Sequence, residues 1–192
     1  MNLKIKIAVL IFICLIPIRG FAQITATDSD NDGLSDNDEM NIYYTNPQVT
    51  DTDGDGYLDG DEVKYNYDPN SKTDDKLEKK IVVALADQSL SYRLGDYIVG
   101  GFKISSGLPK TPTPTGSYEI LVKKPLVNYK GADYNYKNTR WNMLFKKGYY
   151  IHGAYWHDKF GQPMSHGCIN VSYQNMESLY NWTDAGTKVI IQ

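Results

Sequence analysis

A chain of 192 residues has room for one catalytic-size domain and a small companion, at roughly 150 residues per domain. Its hydrophobic content of 41% is ordinary for a globular protein, and 16 tyrosines favour β structure and aromatic-lined clefts. The net charge of −3 hides a division: 16 acidic residues and 3 lysines lie between Gln23 and Glu78, against 7 acidic and 14 basic from Lys79 onward. Two different physical objects therefore meet near Lys79, and no basic run interleaved with aromatics speaks for a nucleic-acid partner.

Residues 1–22 read as a secretory signal peptide. Lys4 and Lys6 charge its start, and Ile7 to Ile18 form an apolar stretch too short to span a bilayer. Gly20 and Ala22 supply the small residues expected ahead of cleavage before Gln23. An uncleaved membrane anchor is the alternative. A lipoprotein reading through Cys14 is weaker, because Ile13 stands where a small residue is required. Cleavage leaves no transmembrane helix and removes Cys14, so Cys168 has no partner. A single thiol in an exported protein is a liability unless it is used or shielded.

Residues 23–78 hold an internal repeat. Asp28-Ser29-Asp30-Asn31-Asp32-Gly33-Leu34-Ser35-Asp36-Asn37-Asp38-Glu39 recurs about 23 residues later as Asp51-Thr52-Asp53-Gly54-Asp55-Gly56-Tyr57-Leu58-Asp59-Gly60-Asp61-Glu62. Oxygen ligands fall at loop positions 1, 3, 5, 9 and 12, with glycine at 6 for the sharp turn. The ligand sets are Asp28, Asp30, Asp32, Asp36 and Glu39, then Asp51, Asp53, Asp55, Asp59 and Glu62, with the carbonyls of Leu34 and Tyr57 at position 7. Many oxygens and several formal charges suit a structural Ca²⁺ better than Mg²⁺, which keeps its waters. Without metal the carboxylates repel one another and the segment is expected to unfold. An acidic disordered linker is the bland alternative. No full helix flanks each loop, so paired EF-hands are not expected. The repeats, each followed by Asn46-Pro47 or Asp68-Pro69, resemble thrombospondin type 3 repeats of secreted proteins. A third copy decays at Asp74-Asp75. The segment reads as a rigidified spacer or a docking element for other envelope components.

Residues 79–192 read as a mainly β domain. Lys80 to Ala86 is a buried strand, Gln88 to Leu94 its hairpin return, and Tyr97 to Ile104 a third strand with a bulge expected at Gly100-Gly101. Ser105 to Gly116 is turn chemistry, and Ser117 to Val122 resumes a strand. Asn128 to Arg140, rich in Tyr and Asn, is expected as a long loop over a cleft. Tyr149 to His152 is extended, Ser172 caps a short helix carrying Met176 and Leu179, and Lys188 to Ile191 closes as a strand.

The chemistry concentrates at Ser165-His166-Gly167-Cys168-Ile169-Asn170. If this piece is extended, His166 and Cys168 share a face, and Gly167 leaves an uncovered N–H beside the sulfur for an oxyanion. A thiol nucleophile needs a base, a group orienting that base, and oxyanion donors. His152, at the end of a core strand, is the expected base; His157 is expected in a solvated or structural loop. A depressed thiol pKa would mark Cys168 as reactive rather than merely buried. Zinc is disfavoured because no second cysteine supports it, and a papain-type peptidase because there the cysteine precedes its histidine.

His152-Gly153-Ala154 with Ser165 to Asn170 resembles the signature of the L,D-transpeptidase catalytic (YkuD-type) family. Ser106-Gly107, Thr113-Pro114-Thr115-Gly116 and Ala185-Gly186-Thr187 support the resemblance, which covers essentially all of residues 79–192. It implies a β-sandwich catalytic domain with little helix, in a bacterial periplasm or cell envelope, acting on peptidoglycan stem peptides without a catalytic cofactor. It implies Cys168 as nucleophile, His152 as base and Gly153 orienting it by its carbonyl. His166 would fix the site, and the N–H groups of Gly167 and Cys168 would face the oxyanion. Ser165 and Asn170 occupy the flanking motif positions as candidate substrate contacts. The family has a flap, to which Asn128 to Arg140 corresponds, with Tyr134 a candidate for touching substrate. The loop from His152 to Ser165 is short for the family. The acyl group passes to an amine for a 3→3 cross-link; alternatives are water, a protein lysine, or an inactive fold serving as a calcium-dependent wall-binding module.

Overall fold

The computed structural model describes residues 26–132 and 134–192. The signal-peptide reading and Cys14 lie outside the described residues. Among those residues are nine strands in two sheets. One sheet runs β3-β2-β1-β9-β4, from β1 (Lys79–Ala84), β2 (Ser89–Leu94), β3 (Tyr97–Lys103), β4 (Gly116–Glu119) and β9 (Lys188–Ile191). The other runs β5-β6-β7-β8, from β5 (Val122–Lys130), β6 (Asn135–Lys146), β7 (Tyr149–Ala154) and β8 (Ile169–Ser172). All pairings are antiparallel except β1 with β9 and β7 with β8.

Period-two alternation builds the core. Ile81 and Val83 of β1, Leu90 of β2 and Val189 and Ile191 of β9 turn inward against Met143 and Phe145 of β6, Ile151 of β7 and Ile169 and Val171 of β8. The helix α3 (Tyr173–Trp182) adds Met176 and Leu179, and Ser172 caps it by accepting from the Asn175 N–H. This is a mainly β sandwich with little helix, preceded by the small repeat segment.

Three expectations change. The bulge falls at Val99, because Tyr92 pairs with Gly100 and Arg93 with Ile98. Gly100 gives space instead, since a Cβ there would collide with the Tyr92 hydroxyl. Ser117 to Val122 is not one strand: β4 ends at Glu119, and the chain crosses to the other sheet before β5. Asn128 to Arg140 is no loop but the end of a β5–β6 hairpin, in register from Lys130 with Asn135.

The acidic repeats form short helical turns, α1 (Asp36–Asp38) continuing as a π turn over Glu39–Tyr43, and α2 (Asp59–Tyr65). They dock on the β2–β3 hairpin. Leu34 and Tyr43 bury themselves with Leu94, and Val63, Leu77, Tyr97 and Val99 pack around them. The Tyr97 hydroxyl donates to Asp68 Oδ1 at 2.6 Å and accepts from Asn70 Nδ2 at 3.1 Å. Asn70 Nδ2 also donates to the Tyr43 carbonyl at 2.8 Å.

Candidate active site and cation loops

His152 lies on β7 and Cys168 immediately precedes β8, its parallel neighbour. The register sets Ile151 beside Ile169 and His152 beside Asn170. Both side chains therefore open into one cleft, of about 50 Å³, roofed by the β5–β6 hairpin.

After an isolated bridge at Ser165 the segment 166–168 is a bend rather than a strand, so His166 and Cys168 both reach the cleft by the bend and not by strand alternation. Gly167 adopts φ of +114°, where a side chain would be strained and its Cβ would stand 2.8 Å from the Tyr149 ring. Ser165 is buried in this turn: its hydroxyl donates to the Cys168 carbonyl and accepts from the Gly167 N–H at 3.0 Å. That bond commits the Gly167 N–H, which is thus not the oxyanion donor expected of it. Ser165 braces the turn and also lines the cleft. Behind it, the Thr113 hydroxyl donates to the Gly167 carbonyl and accepts from the Gly107 N–H, both at 2.9 Å. A Cβ on Gly107 would press on Gly167 Cα at 2.8 Å. Gln88 grips Ser106 through both ends of its amide, at 2.7 and 2.9 Å. The Ser106-Gly107 and Thr113 signals thus support the nucleophile turn from beneath.

His152 Nδ1 lies 2.9 Å from the Gly153 carbonyl, so Nδ1–H donates there and Nε2 keeps a lone pair. Burial lowers its pKa to about 4, opposed by the Gly153 carbonyl and assisted by His157. Burial pushes the Cys168 thiol up to about 11, partly offset by the Tyr150 N–H. The resting pair is therefore neutral thiol and neutral imidazole, contrary to the depressed thiol pKa expected of a reactive cysteine. The Cys168 thiol is oriented toward the Gly148 carbonyl, 4.0 Å away.

The remaining motif residues form the walls. Asn170, 2% exposed, exchanges two backbone bonds with Ser105 at 2.9 Å, and its Nδ2 lies 3.2 Å from His157 Nε2. His157 is thus half-buried against the motif rather than solvated. The Tyr134 ring lies 4.7 Å from His166. Tyr136 stacks on Trp156 at 3.7 Å and 4°. Sequence reasoning missed Tyr129 and Tyr136, which the β5–β6 hairpin brings to the cleft, Trp156, which reaches it from the segment after β7, and the buried Asn142 behind Tyr129; no local motif marks them.

The acidic loops also converge. Carboxylate oxygens of Asp28, Asp30 and Asp32 lie within 4.8 Å of one another, as do those of Asp51, Asp53 and Asp55. Among buried atoms without a hydrogen-bond partner are Asp30 Oδ2 and Glu39 Oε2 in one loop, and Asp53 Oδ2 and Glu62 Oε2 in the other. The same two positions recur in both copies, as a cation bound by oxygens requires. Burial and then neighbouring carboxylates push Glu39 up to about 7 and Glu62 up to about 8, a cost that a bound Ca²⁺ would reverse. At position 9 the carboxylates also take protein donors. Asp36 accepts from the Ser29 N–H and hydroxyl at 2.7 and 2.8 Å, and Asp59 accepts likewise from Thr52. These carboxylates close their loops from behind. Asp59 also stands within 4.8 Å of Asp32 and Glu39, and the Gly60 N–H donates to Asp32 at 3.1 Å, so the repeats interlock. The Leu34 side chain serves the docking cluster.

A histidine on one strand and a cysteine just ahead of its parallel neighbour, in a two-sheet sandwich, form the candidate site of a cysteine acyltransferase-type domain. Residues 78–191 match the L,D-transpeptidase catalytic domain family, YkuD, and the chain belongs to it. Residues 28–49 and 51–72 match the bacterial TSP3 repeat. "Probable L,D-transpeptidase 3" of Mycobacterium tuberculosis is 33% identical over 105 residues, 48% of this chain and 39% of that protein. "Putative L,D-transpeptidase YkuD" of Bacillus licheniformis is 29% identical over 123 residues, 64% of this chain and 71% of that one. The M. tuberculosis L,D-transpeptidase 3 structure in complex with a faropenem-derived adduct superposes with a TM-score of 0.57 at 25% identity, over 61% of each chain. The chain thus spans well under half the length of the first of these relatives.

Proposed function

We propose that this protein is an exported peptidoglycan L,D-transpeptidase working by a thioester on Cys168. The observation that carries the reading is the His152 geometry: Nδ1 is fixed on the Gly153 carbonyl, and Nε2 is left as acceptor in the cleft that Cys168 lines. His152 Nε2 takes the thiol proton as Sγ attacks the carbonyl of the diamino acid in a tetrapeptide stem. The Cys168 N–H is the remaining motif donor for the oxyanion. Collapse breaks the bond to the terminal D-Ala, whose amine leaves with the proton held by His152. An acceptor amine then gives a proton to His152, attacks the thioester and restores the thiol, forming a 3→3 cross-link. Water as acceptor gives an L,D-carboxypeptidase, and a wall-attached protein gives an anchored product, by the same first half-reaction.

The neutral resting pair supports proton transfer concerted with attack rather than a standing thiolate. The calcium repeats rigidify a module outside the chemistry, and the compartment is the bacterial cell envelope. Incubation with a defined tetrapeptide stem, with products read by mass spectrometry, tests the assignment. The expected results are D-Ala release, a Cys168 adduct and a cross-linked dimer, all lost in Cys168→Ala while the fold persists. Turnover by Cys168→Ala would overturn the cysteine mechanism. A trimmed tripeptide without dimer would identify water as the acceptor.

A further inference from the structure

We propose that Tyr129, anchored by Asn142, is the positioning residue that holds His152 in its working orientation; this rests on the reading of His152 as the base for Cys168. One hydrogen bond, from Nδ1–H to the Gly153 carbonyl, leaves an imidazole free to pivot about that contact. The Tyr129 ring removes this freedom by stacking on the imidazole, with centroids 4.7 Å apart and planes 28° from parallel. Trp156 flanks the imidazole less closely, at 5.7 Å and 40°.

Tyr129 is itself fixed. Its hydroxyl donates to Asn142 Oδ1 at 2.8 Å. Asn142 is fully buried, and its Nδ2 donates to the Thr139 carbonyl at 2.8 Å and the Lys124 carbonyl at 3.2 Å. With Nδ2 facing two carbonyls, Oδ1 has to face the tyrosine hydroxyl. Asn142 is also the cross-strand partner of His152 between β6 and β7. A closed circuit results: the residue opposite the base on the next strand holds the ring that covers the base.

The stack has a second consequence. When His152 takes the thiol proton it becomes an imidazolium away from water, and the electron-rich face of Tyr129 stabilises that charge. Other titratable groups facing the pair are Cys168 itself, the Tyr150 and Tyr134 hydroxyls near Tyr129, and His157, whose charge opposes protonation of His152. Among the described residues no carboxylate is one of these groups: the Gly153 carbonyl accepts from Nδ1–H where other base-nucleophile pairs have an acid, and the tyrosine face adds a neutral stabiliser for the charge.

Faropenem acylation of the full calcium-loaded chain, followed by mass spectrometry from pH 6 to 10.5, tests the inference, with iodoacetamide alkylation as a parallel measurement. In Tyr129→Leu, acylation near neutral pH is expected to fall roughly 10- to 100-fold, within the range general-base assistance supplies. The deficit shrinks as pH rises toward the thiol pKa, where the thiolate forms without the base. Tyr129→Phe keeps the covering face and loses only the anchor, so it recovers to within about 5-fold of the parent. A Tyr129→Leu profile that superposes on the parent's, or one reduced equally at every pH, overturns the positioning role. If Tyr129→Leu does not fold, Tyr129→Met, which likewise lacks the covering aromatic face, is read by the same criterion. A parent chain that is acylated neither by faropenem nor by the tetrapeptide removes the transpeptidase reading itself, an outcome distinct from a failed Tyr129 effect.

Discussion

The calcium loops and the nucleophile turn both bend a chain tightly around polar groups, and they satisfy those groups in opposite ways. In the turn at 165–168, Ser165, Thr113 and Gln88 supply neutral partners from within the protein, and every link is closed by a hydrogen bond. In the loops, carboxylates face one another, and Asp30, Glu39, Asp53 and Glu62 each keep a buried oxygen without a partner. The nucleophile turn closes on neutral protein partners, whereas the loops leave carboxylate oxygens that a cation could satisfy. If calcium fills them, rigidity at the turn depends on this sequence alone and rigidity in the module on the medium.

Removing calcium is the strongest way to press on that contrast. At calcium a thousand-fold above its dissociation constant, each site adds about 4 kcal/mol to the folded module. Chelation is expected to melt residues 28–72 while the sandwich keeps its cooperative transition, as followed by calorimetry and far-UV circular dichroism. A module that stays folded in excess chelator would erase the distinction.

Changing pH probes the other half. The folded pKa of His152, about 4, lies below its usual 6.5, so the unfolded chain binds the extra proton first. Stability is full above pH 6.5 and declines as pH falls toward 4, by about 3 kcal/mol. The Cys168 thiol, raised to about 11 from 9, acts at the alkaline end: stability holds below pH 9 and declines toward 11 by about 3 kcal/mol. Denaturant melts across this range check both limbs, and Cys168→Ser should shrink the alkaline one to the part that the raised tyrosines Tyr43 and Tyr97 contribute above pH 10, leaving the acid limb unchanged. A parent chain with no alkaline decline would show that the thiol is not held neutral by burial.

A smaller change acts on the turn. Ser165→Ala leaves the Gly167 N–H and the Cys168 carbonyl without their shared partner, at a cost of about 1–3 kcal/mol. It should slow acylation of Cys168 by loosening the turn, and denaturant melts with stopped-flow acylation separate the two effects. Unchanged acylation would mean that the turn is held from Thr113 alone.

What could be read from the sequence follows the range over which each feature is encoded. The cation loops are local, so twelve consecutive residues carry their spacing, although the inward or outward aim of Asp36 and Asp59 depends on where Ser29 and Thr52 lie. The core strands β1, β2 and β9 show alternation because one face of each is buried. The β5–β6 hairpin escaped notice because exposed residues dominate both strands near its tip, leaving no apolar period to detect. Cys168 and His152 stood out as residue types, but the direction of the Gly167 N–H is a property of the bend, which a strand assumption reverses. Tyr129 carries no signal at all, since its role exists only across three paired strands.

The boundary between the two regions gives the finest test. An acidic module beside a basic domain suggests a flexible joint, yet Leu34 and Tyr43 are buried with Leu94, and Tyr97 bonds Asp68 and Asn70 together. Tyr97 belongs to β3, so the sandwich contributes the hydroxyl and the module its partners. Tyr97→Phe keeps the ring packed 5.4 Å from Tyr43 and removes only those bonds, at about 1 kcal/mol. In calcium the parent is expected to melt with module and sandwich coupled, and Tyr97→Phe to separate the two transitions slightly, with acylation of Cys168 unchanged. In chelator the substitution should have almost no effect, because the module that supplies Asp68 and Asn70 is already unfolded. An equal cost in both conditions would place the contribution of Tyr97 within the β2–β3 hairpin instead, and the two regions would then be joined by apolar packing alone.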